Sequence, residues 1–335
     1  MANVKFGFVL VGVVVVALAN VATTCAQSAE TPRRLRQRIN RTLVDRGYPN
    51  AASGFDNETK ITAGDVKTAP PFGLSVAISG DTAIVGAAPS FEAATGPGAV
   101  YVFQRDEGGA GNWGEVTKIT PIDGAINDKF GSSVAINGDT VIVGAVADDD
   151  HGQQSGSAYV YQRNVGGVGN WGLVTKITAS DGAAGDNFGA SVAINGDTAI
   201  AGAPLAGSGT AYLYQRDEGG ADNWGEVSRV TVTDGFFSDV FGISVAISGD
   251  TAIVGARNDD KGTGSAYVYQ RDEGGADNWG EITKITASDG EGGFPFGDRF
   301  GSSVTISGDT AIVGALSDDD DGEESGSAYV YRRNE

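Results

Sequence analysis

One stretch of the sequence decides the fold: residues 130–145 read FGSSVAINGDTVIVGA, and residues 157–163 read SAYVYQR. It contains three runs of β-branched and aromatic residues bounded by glycine, asparagine, aspartate or serine, a pattern typical of short strands. Asn137-Gly138, between the first two runs, favours a type I′ hairpin turn because both residues accept positive φ angles. A fourth run, WGLVTKI, follows at residues 171–177. Residues 130–177 therefore predict a four-stranded antiparallel sheet.

The same pattern occurs five times along the chain. The Phe-Gly dipeptide that begins each copy recurs at intervals of 58, 58, 53 and 59 residues, at Phe72, Phe130, Phe188, Phe241 and Phe300. A period of this length indicates a repeat architecture, and four antiparallel strands per repeat form the blade of a β-propeller. The strand runs are apolar at nearly every position, as expected for blades packed on both faces. We predict an all-β fold over residues 55–335: a β-propeller of five four-stranded antiparallel blades.

The two ends of the repeat region complement each other. The last copy ends at residues 329–333 without its fourth strand, and an extra copy of that strand, FDNETKIT, precedes the first repeat at residues 55–62. Aligned with residues 113–120, this segment places Phe55 at the tryptophan position and repeats Thr-Lys-Ile-Thr. We predict that residues 55–62 complete the fifth blade and close the ring, because closure removes open sheet edges. The alternative is a part of a larger ring.

The first 54 residues have a different composition from the repeats. Lys5 precedes an apolar run at residues 6–21 and then small residues, so we predict a signal peptide at residues 1–26, cleaved after Ala26. The protein would then be secreted; an uncleaved anchor at the cell surface is the alternative, because the run is only slightly shorter than a bilayer span. Residues 27–54 read as a basic linker with a short helix, which Pro32 begins and Gly47 ends.

Composition restricts the classes of function. The chain of 335 residues has a net charge of -20, with one cysteine and one histidine. An acidic body repels nucleic acid and anionic membranes, so we expect no nucleic-acid partner. We also expect no stable membrane span once the signal peptide is cleaved, and we expect the protein to be a monomer. The sequence shows no nucleophile–base pair, which favours a non-catalytic protein. A glycoside hydrolase that uses two carboxylates from different blades is the enzymatic alternative.

Loop lengths vary on one face of the predicted propeller. In an antiparallel blade, the loop between the second and third strands shares a face with the crossover to the next blade. The spacing from Phe-Gly to the tyrosine of the third strand is 29, 29, 24, 26 and 29 residues, whereas the tyrosine-to-tryptophan spacing is always 12. Variable loops on a fixed frame commonly form binding surfaces. We call this side the loop face and predict that it binds an extracellular protein or glycan.

Acidic residues cluster on the predicted loop face and suggest calcium as the one candidate cofactor. Alternate oxygen-bearing residues precede a glycine in three loops: Asp148 and Asp150, Asn258 and Asp260, and Asp318 and Asp320. A calcium-dependent, lectin-like module is therefore a second functional hypothesis. The glycine comes one place too early for the common calcium loop, and no bidentate glutamate follows, so solvated turn acids are the alternative.

Tryptophan recurs on the opposite face, at Trp113, Trp171, Trp224 and Trp279. Exposed rings at these positions would stack on sugars. Their strict spacing favours a structural role, in which each ring covers the end of a fourth strand.

The repeat resembles the FG-GAP repeat, which builds the β-propeller of integrin alpha subunits. The resemblance is carried by Phe-Gly-x-Ser-Val-Ala-Ile, Ile-Val-Gly-Ala and Gly-x-Ala-Tyr-Val-Tyr, across residues 55–335. It implies extracellular binding and adhesion without naming a ligand. Integrin-type repeats hold calcium in an aspartate-rich loop before the Val-Gly-Ala strand. Two-residue turns such as Ser79-Gly80 stand there in this chain, so that site is not carried over.

Overall fold

The computed structural model describes residues 58–65, 71–89, 96–232, 235, 239–275, 278–293, 297–320 and 325–333. The chain divides into two compact units, Met1–Lys60 and Ile61–Glu335. Only residues 58–60 of the first unit are described, and they have no regular secondary structure. The predicted signal peptide, the basic linker and residues 55–57 of the predicted closing strand lie outside the described residues.

The second unit consists of five consecutive antiparallel sheets. Blade one contains β1 (Phe72–Ser79), β2 (Thr82–Ala87), β3 (Ala99–Arg105) and β4 (Trp113–Ile119); blade two contains β5 (Phe130–Asn137), β6 (Thr140–Ala145), β7 (Ser157–Arg163) and β8 (Trp171–Ile177). Blade three contains β9 (Ser191–Asn195), β10 (Thr198–Ala203), β11 (Thr210–Arg216) and β12 (Trp224–Val230); blade four contains β13 (Phe241–Ser248), β14 (Thr251–Ala256), β15 (Ser265–Arg271) and β16 (Trp279–Ile285). Blade five contains β17 (Phe300–Ser307), β18 (Thr310–Ala315) and β19 (Ser327–Arg332).

The predicted all-β, five-bladed propeller is confirmed. In blades one to four the strands follow one another in sequence order across a four-stranded sheet. Blade five shows three strands in the described part of the chain, and β19 lies at its edge. One 3-10 turn, Asp259–Gly262, precedes β15. No helix among the described residues is long and apolar enough to cross a membrane.

The hydrophobic core lies between neighbouring blades. The phenylalanine of each Phe-Gly pair packs edge-on against two aromatic rings of the third strand, which are tyrosines except for Phe103 in blade one. The Phe188 ring centre lies 5.5 Å from that of Tyr212 and 6.1 Å from that of Tyr214. Such edge-to-face pairs are favourable beyond the area they bury. Phe130, Phe188, Phe241 and Phe300 are all fully buried.

A close backbone approach joins each blade to the next. Gly144 lies in β6, and a Cβ atom there would overlap the carbonyl oxygen of Gly189 in the next blade. Gly189 itself has a φ of +78°, a conformation that glycine adopts without a steric penalty. Beside this contact, Ser133 Oγ donates a hydrogen bond of 2.7 Å to the Gly189 carbonyl. The same serine-to-glycine bond, 2.8 Å long, joins Ser75 to Gly131, Ser191 to Gly242 and Ser244 to Gly301.

Closure by residues 55–62 stays a prediction. Residues 58–65 contain no assigned strand. Within the second unit, Ile61 and Ala63 pack against the buried side chains of blade one, including Val85 and Tyr101.

Candidate binding face

The loop face contains the loops between the second and third strands of each blade, together with the crossovers between blades. Residues 146–156 join β6 to β7, and residues 120–129 cross from blade one to blade two. Because the strands of each blade run antiparallel, these two segments emerge on the same side. The strands therefore hold loops of different length side by side on one surface.

A tyrosine, several aspartates and a lysine form a cluster under the loops of blade two. The hydroxyl oxygen of Tyr159 lies 2.9 Å from a carboxylate oxygen of both Asp123 and Asp148. Lys176 Nζ lies 2.8 Å from Asp123, 3.0 Å from Asp148 and 2.6 Å from Asp150. Asp148 is almost fully buried. One ammonium group on β8 thus joins a crossover acid to two acids of the β6–β7 loop.

Equivalent clusters occur in the other blades. In blade four, the Tyr267 hydroxyl donates to Asp259 at 2.6 Å, and Lys284 Nζ lies 2.8 Å from Asp259 and 3.0 Å from Asp260. In the described parts of blades one and three, a single aspartate takes part in the cluster. The groups are Asp65, Tyr101 and Lys118 in blade one, and Asp181, Tyr212 and Arg229 in blade three. In blade five, Tyr329 bonds Asp289 at 2.8 Å and Asp318 at 2.6 Å.

Burial and pairing determine the protonation of these clusters. Burial alone would lower the pKa of Lys176, but its hydrogen bonds to the aspartates and to Tyr159 raise the pKa overall. Burial alone would raise the pKa of Asp259, and the hydrogen bonds from Lys284 and Tyr267 outweigh it, so the pKa is lowered. Lys176 and Asp259 are therefore held in their charged forms at neutral pH. Their contacts can stabilise the bases of the loops.

Stability should depend on pH through the blade-four cluster. Because the pKa of Asp259 is lowered from 3.8 on folding, its contribution is present above about pH 4 and is lost as the pH falls through the folded-state pKa. We expect Asp259→Asn to reduce the free energy of unfolding at pH 7 by about 2 kcal/mol, the typical worth of hydrogen bonds to a charged group. Urea unfolding at pH 7 and pH 2.5 measures this difference. An undiminished difference at pH 2.5 would contradict the assignment.

The six predicted calcium ligands lie in or beside the clusters of tyrosine, aspartate and lysine described above. Asp148 and Asp150 bind Lys176, and Asp260 binds Lys284. Asn258 precedes the 3-10 turn, and Asp318 Oδ1 accepts a hydrogen bond from the Asp320 amide. Within the described ranges, no group of three or more acidic, histidine or cysteine side chains has a metal-binding arrangement. Calcium binding by these six residues stays a prediction, and in blades two and four calcium would have to displace a lysine.

Buried aspartates in the crossovers accept hydrogen bonds from the backbone of these segments, a structural role that the sequence analysis did not predict. Asp128, Asp239 and Asp298 are buried. Asp128 accepts a hydrogen bond of 2.6 Å from the Ala125 amide, and Asp298 one of 2.6 Å from the Glu291 amide. Burial raises the pKa of Asp128 and of Asp298. A usable sequence signal was the recurrence of an aspartate two residues before each Phe-Gly pair from the second onward.

The tryptophans of the opposite face are structural, as their strict spacing predicts. Trp171, Trp224 and Trp279 are buried, and Trp113 is half-buried. The guanidinium of Arg163 lies 4.9 Å from the Trp171 ring centre, and its Nε lies 2.9 Å from Asp139. The same arginine contacts Thr82 of the preceding blade. An arginine also lies over the rings of Trp113, Trp224 and Trp279. The three buried rings are therefore not available for stacking on sugars.

Exposed aliphatic side chains mark the loop face. Ile122 and Ile126 of the first crossover, Leu205 of the β10–β11 loop and Leu316 of the β18–β19 loop are all exposed. Ile126 borders a recess of about 200 Å³, which is also lined by Asn127, Ala147, Asp149, Gln153 and Gln154. Asn127 Oδ1 is buried there without a hydrogen-bond partner among the described residues. The recess thus combines an apolar rim with one amide oxygen, Asn127 Oδ1, that has no partner among the described residues.

Five antiparallel blades with interblade Phe-Gly packing define a repeat-built β-propeller with a loop face. Comparison with protein families matches the FG-GAP repeat over residues 55–103, 113–161, 171–214, 224–269 and 279–331. The chain therefore belongs to the FG-GAP repeat family. No curated protein matches the sequence.

The chain is similar to two solved structures, both of Sqt1 from Chaetomium thermophilum. They are each 14% identical to this chain, with TM-scores of 0.46 and 0.48 over 74% and 79% of it. The matched part covers 57% and 60% of the Sqt1 chains, so the chain spans less than two thirds of the length of these structures.

Proposed function

We propose that this protein is a secreted, non-catalytic binding protein whose loop face engages an extracellular protein or glycan. The recess at Ile126 carries the proposal, because it places the exposed Ile126 beside Asn127 Oδ1, which has no hydrogen-bond partner among the described residues, between two segments of the loop face. Binding sites commonly combine these features. The sequence of residues 1–26 supports secretion, and FG-GAP propellers are typically non-catalytic.

The chemistry of the loop face favours contact through apolar and amide groups over contact through charge. Four acids of the loops in blades two and four, Asp148, Asp150, Asp259 and Asp260, are bound to Lys176 or Lys284. Exposed Ile122 and Ile126 lie outside those clusters. A partner would gain most from covering these isoleucines and bonding to the amides beside them.

A glycan and protein binding array tests the proposal, with the full chain as probe. Ile126→Glu places a charge at the rim of the recess, and we expect it to weaken binding by about tenfold or more, the usual cost of losing a central contact. Val168→Glu is the matched control, because Val168 is fully exposed in the β7–β8 loop on the opposite face. Binding that both variants retain, or lose equally, would contradict a site on the loop face.

Parallel arrays with calcium and with chelator address the lectin-like alternative. If the apolar recess is the site, binding is equal in both. Binding that requires calcium, and that disappears on Asp318→Asn, would replace the proposed site by a calcium-dependent one.

A further inference from the structure

Blade four carries an arginine where the other four blades carry small or apolar residues. Arg257 is the first residue after β14, and the equivalent residues after β2, β6, β10 and β18 are Ala88, Val146, Pro204 and Leu316. The frame of the propeller therefore does not require a charge at this position.

Arg257 has no counter-ion in the described part of the chain. Its side chain is half-buried, and its guanidinium forms no hydrogen bond or ion pair with any described residue. Burial and the positive charge of Arg299 both lower the pKa of Arg257. By contrast, the guanidinium Nε of Arg163 lies 2.9 Å from the carboxylate of Asp139. A partly buried charge without a partner is unfavourable, so an anion that reached Arg257 would be stabilised there.

Arg299 lies beside Arg257, at the place where the β14–β15 loop meets the crossover from blade four to blade five. The Arg299 amide donates a hydrogen bond of 2.9 Å to Gly262 in this loop, and its counterpart Asn187 makes the equivalent bond one junction earlier. There the Asn187 side chain lies 3.5 Å from the carbonyl of Val146, the counterpart of Arg257. The equivalent placement brings the two arginines together.

The acids closest in sequence to this arginine pair have other partners. Asp259 and Asp260 lie 2.8 Å and 3.0 Å from Lys284 Nζ. Asp298 accepts a hydrogen bond from a backbone amide of its own crossover. Lys261 is exposed in the same loop and contributes another positive charge. This corner of the loop face is therefore locally basic, on a chain whose net charge is -20.

We propose that Arg257 and Arg299 form a carboxylate-binding site for a uronic acid residue of a glycan. A guanidinium fork matches a carboxylate in two parallel hydrogen bonds. The acidic body repels polyanions at long range, which favours a ligand with isolated carboxylates. The described residues of the two segments include no exposed large apolar side chain, so the site suits a hydroxyl-rich sugar better than an apolar peptide. This site is separate from the recess at Ile126 and, unlike the recess, binds through charge.

Ligand-observed NMR titration of the full chain tests the site with three probes: methyl glucuronide, its neutral counterpart methyl glucoside, and a short peptide with one glutamate. We expect the glucuronide alone to bind. Arg257→Leu should weaken its binding by about tenfold or more, the usual effect of losing hydrogen bonds to a charged group. Arg332→Gln is the matched control, because it removes the same charge from an exposed arginine, and it should bind the glucuronide with unchanged affinity.

Two substitutions with precedents in the other blades separate loss of the ligand from loss of the fold. Leucine stands at the equivalent position 316, so Arg257→Leu should have a Tm at least as high as that of the unmodified protein. Arg299→Asn reproduces Asn187, which has the same left-handed backbone conformation, with a φ of +58° against +57°. This second variant should also weaken glucuronide binding.

Several results would overturn the proposal. They are no binding of the glucuronide, equal binding of the glucoside, binding of the glutamate peptide alone, and an affinity that Arg257→Leu leaves unchanged. Ile126→Glu should bind the glucuronide as the unmodified protein does. Loss of binding in that variant would place the sugar in the recess, which overturns the arginine site and leaves the proposed function intact.

Discussion

Replacing Lys176 with methionine should lower the free energy of unfolding by about 3–5 kcal/mol, the usual cost of removing one partner from a buried ion pair. The ammonium group is the common partner of Asp123, Asp148 and Asp150. Without it, three carboxylates remain close together, and the buried one, Asp148, keeps only neutral partners. Urea unfolding at pH 7 followed by circular dichroism measures the loss.

Two variants control this experiment. Lys261→Met removes a lysine whose side chain is exposed, so it should change stability by less than about 0.5 kcal/mol. Lys176→Arg should retain most of the stability, because Arg229 occupies the same position in blade three and binds Asp181. If Lys176→Met costs no more than Lys261→Met, the acids of the loop face are not held by this lysine.

Replacing Phe188 with alanine should cost a further large amount, about 3–5 kcal/mol, as for other fully buried aromatic residues. The ring is completely buried and packs edge-on against Tyr212 and Tyr214. Its removal leaves a cavity at the junction of blades two and three, which the rigid strands on either side cannot fill. Chemical unfolding measures the change, and the slope of the transition shows whether the blades still unfold together.

Phe72→Ala is the matched control for this cavity. Phe72 makes the same edge-on contacts, with ring centres 5.5 Å from Tyr101 and 5.9 Å from Phe103. It is only partly buried, so it loses less contact, and we expect a smaller cost than for Phe188. Equal costs at the two sites would contradict a core that lies between the blades.

The strands and blades were predictable because each repeat contains the same pattern of short strand-forming runs separated by turn residues. A two-residue turn such as Asn137-Gly138 fixes the register of a hairpin, and β5 and β6 pair across it as expected. The Phe-Gly spacing located every blade that the structure contains. The buried tryptophans were also predictable, because the constant spacing of 12 residues from tyrosine to tryptophan, as from Tyr159 to Trp171, indicates a structural position within the blade.

The arrangement of the acids was not predictable to the same degree. Asp148 and Asp150 are close in sequence to one another, and this spacing alone suggests a shared metal ion. The group that fills the space between them is Lys176, which follows Asp148 by 28 residues in another strand. Local spacing does not reveal which side chain the fold brings between two carboxylates. The recess at Ile126 was missed for the same reason, because two separate segments line it.

Hydrogen–deuterium exchange of the full chain, with and without the strongest ligand from the array, tests most directly whether the loop face is the binding surface. The account predicts slower exchange on binding in residues 120–129 and 146–156, the two segments that line the recess. Residues 106–112 and 164–170, which form loops on the opposite face, should exchange at unchanged rates. Protection confined to those opposite loops would contradict the central claim.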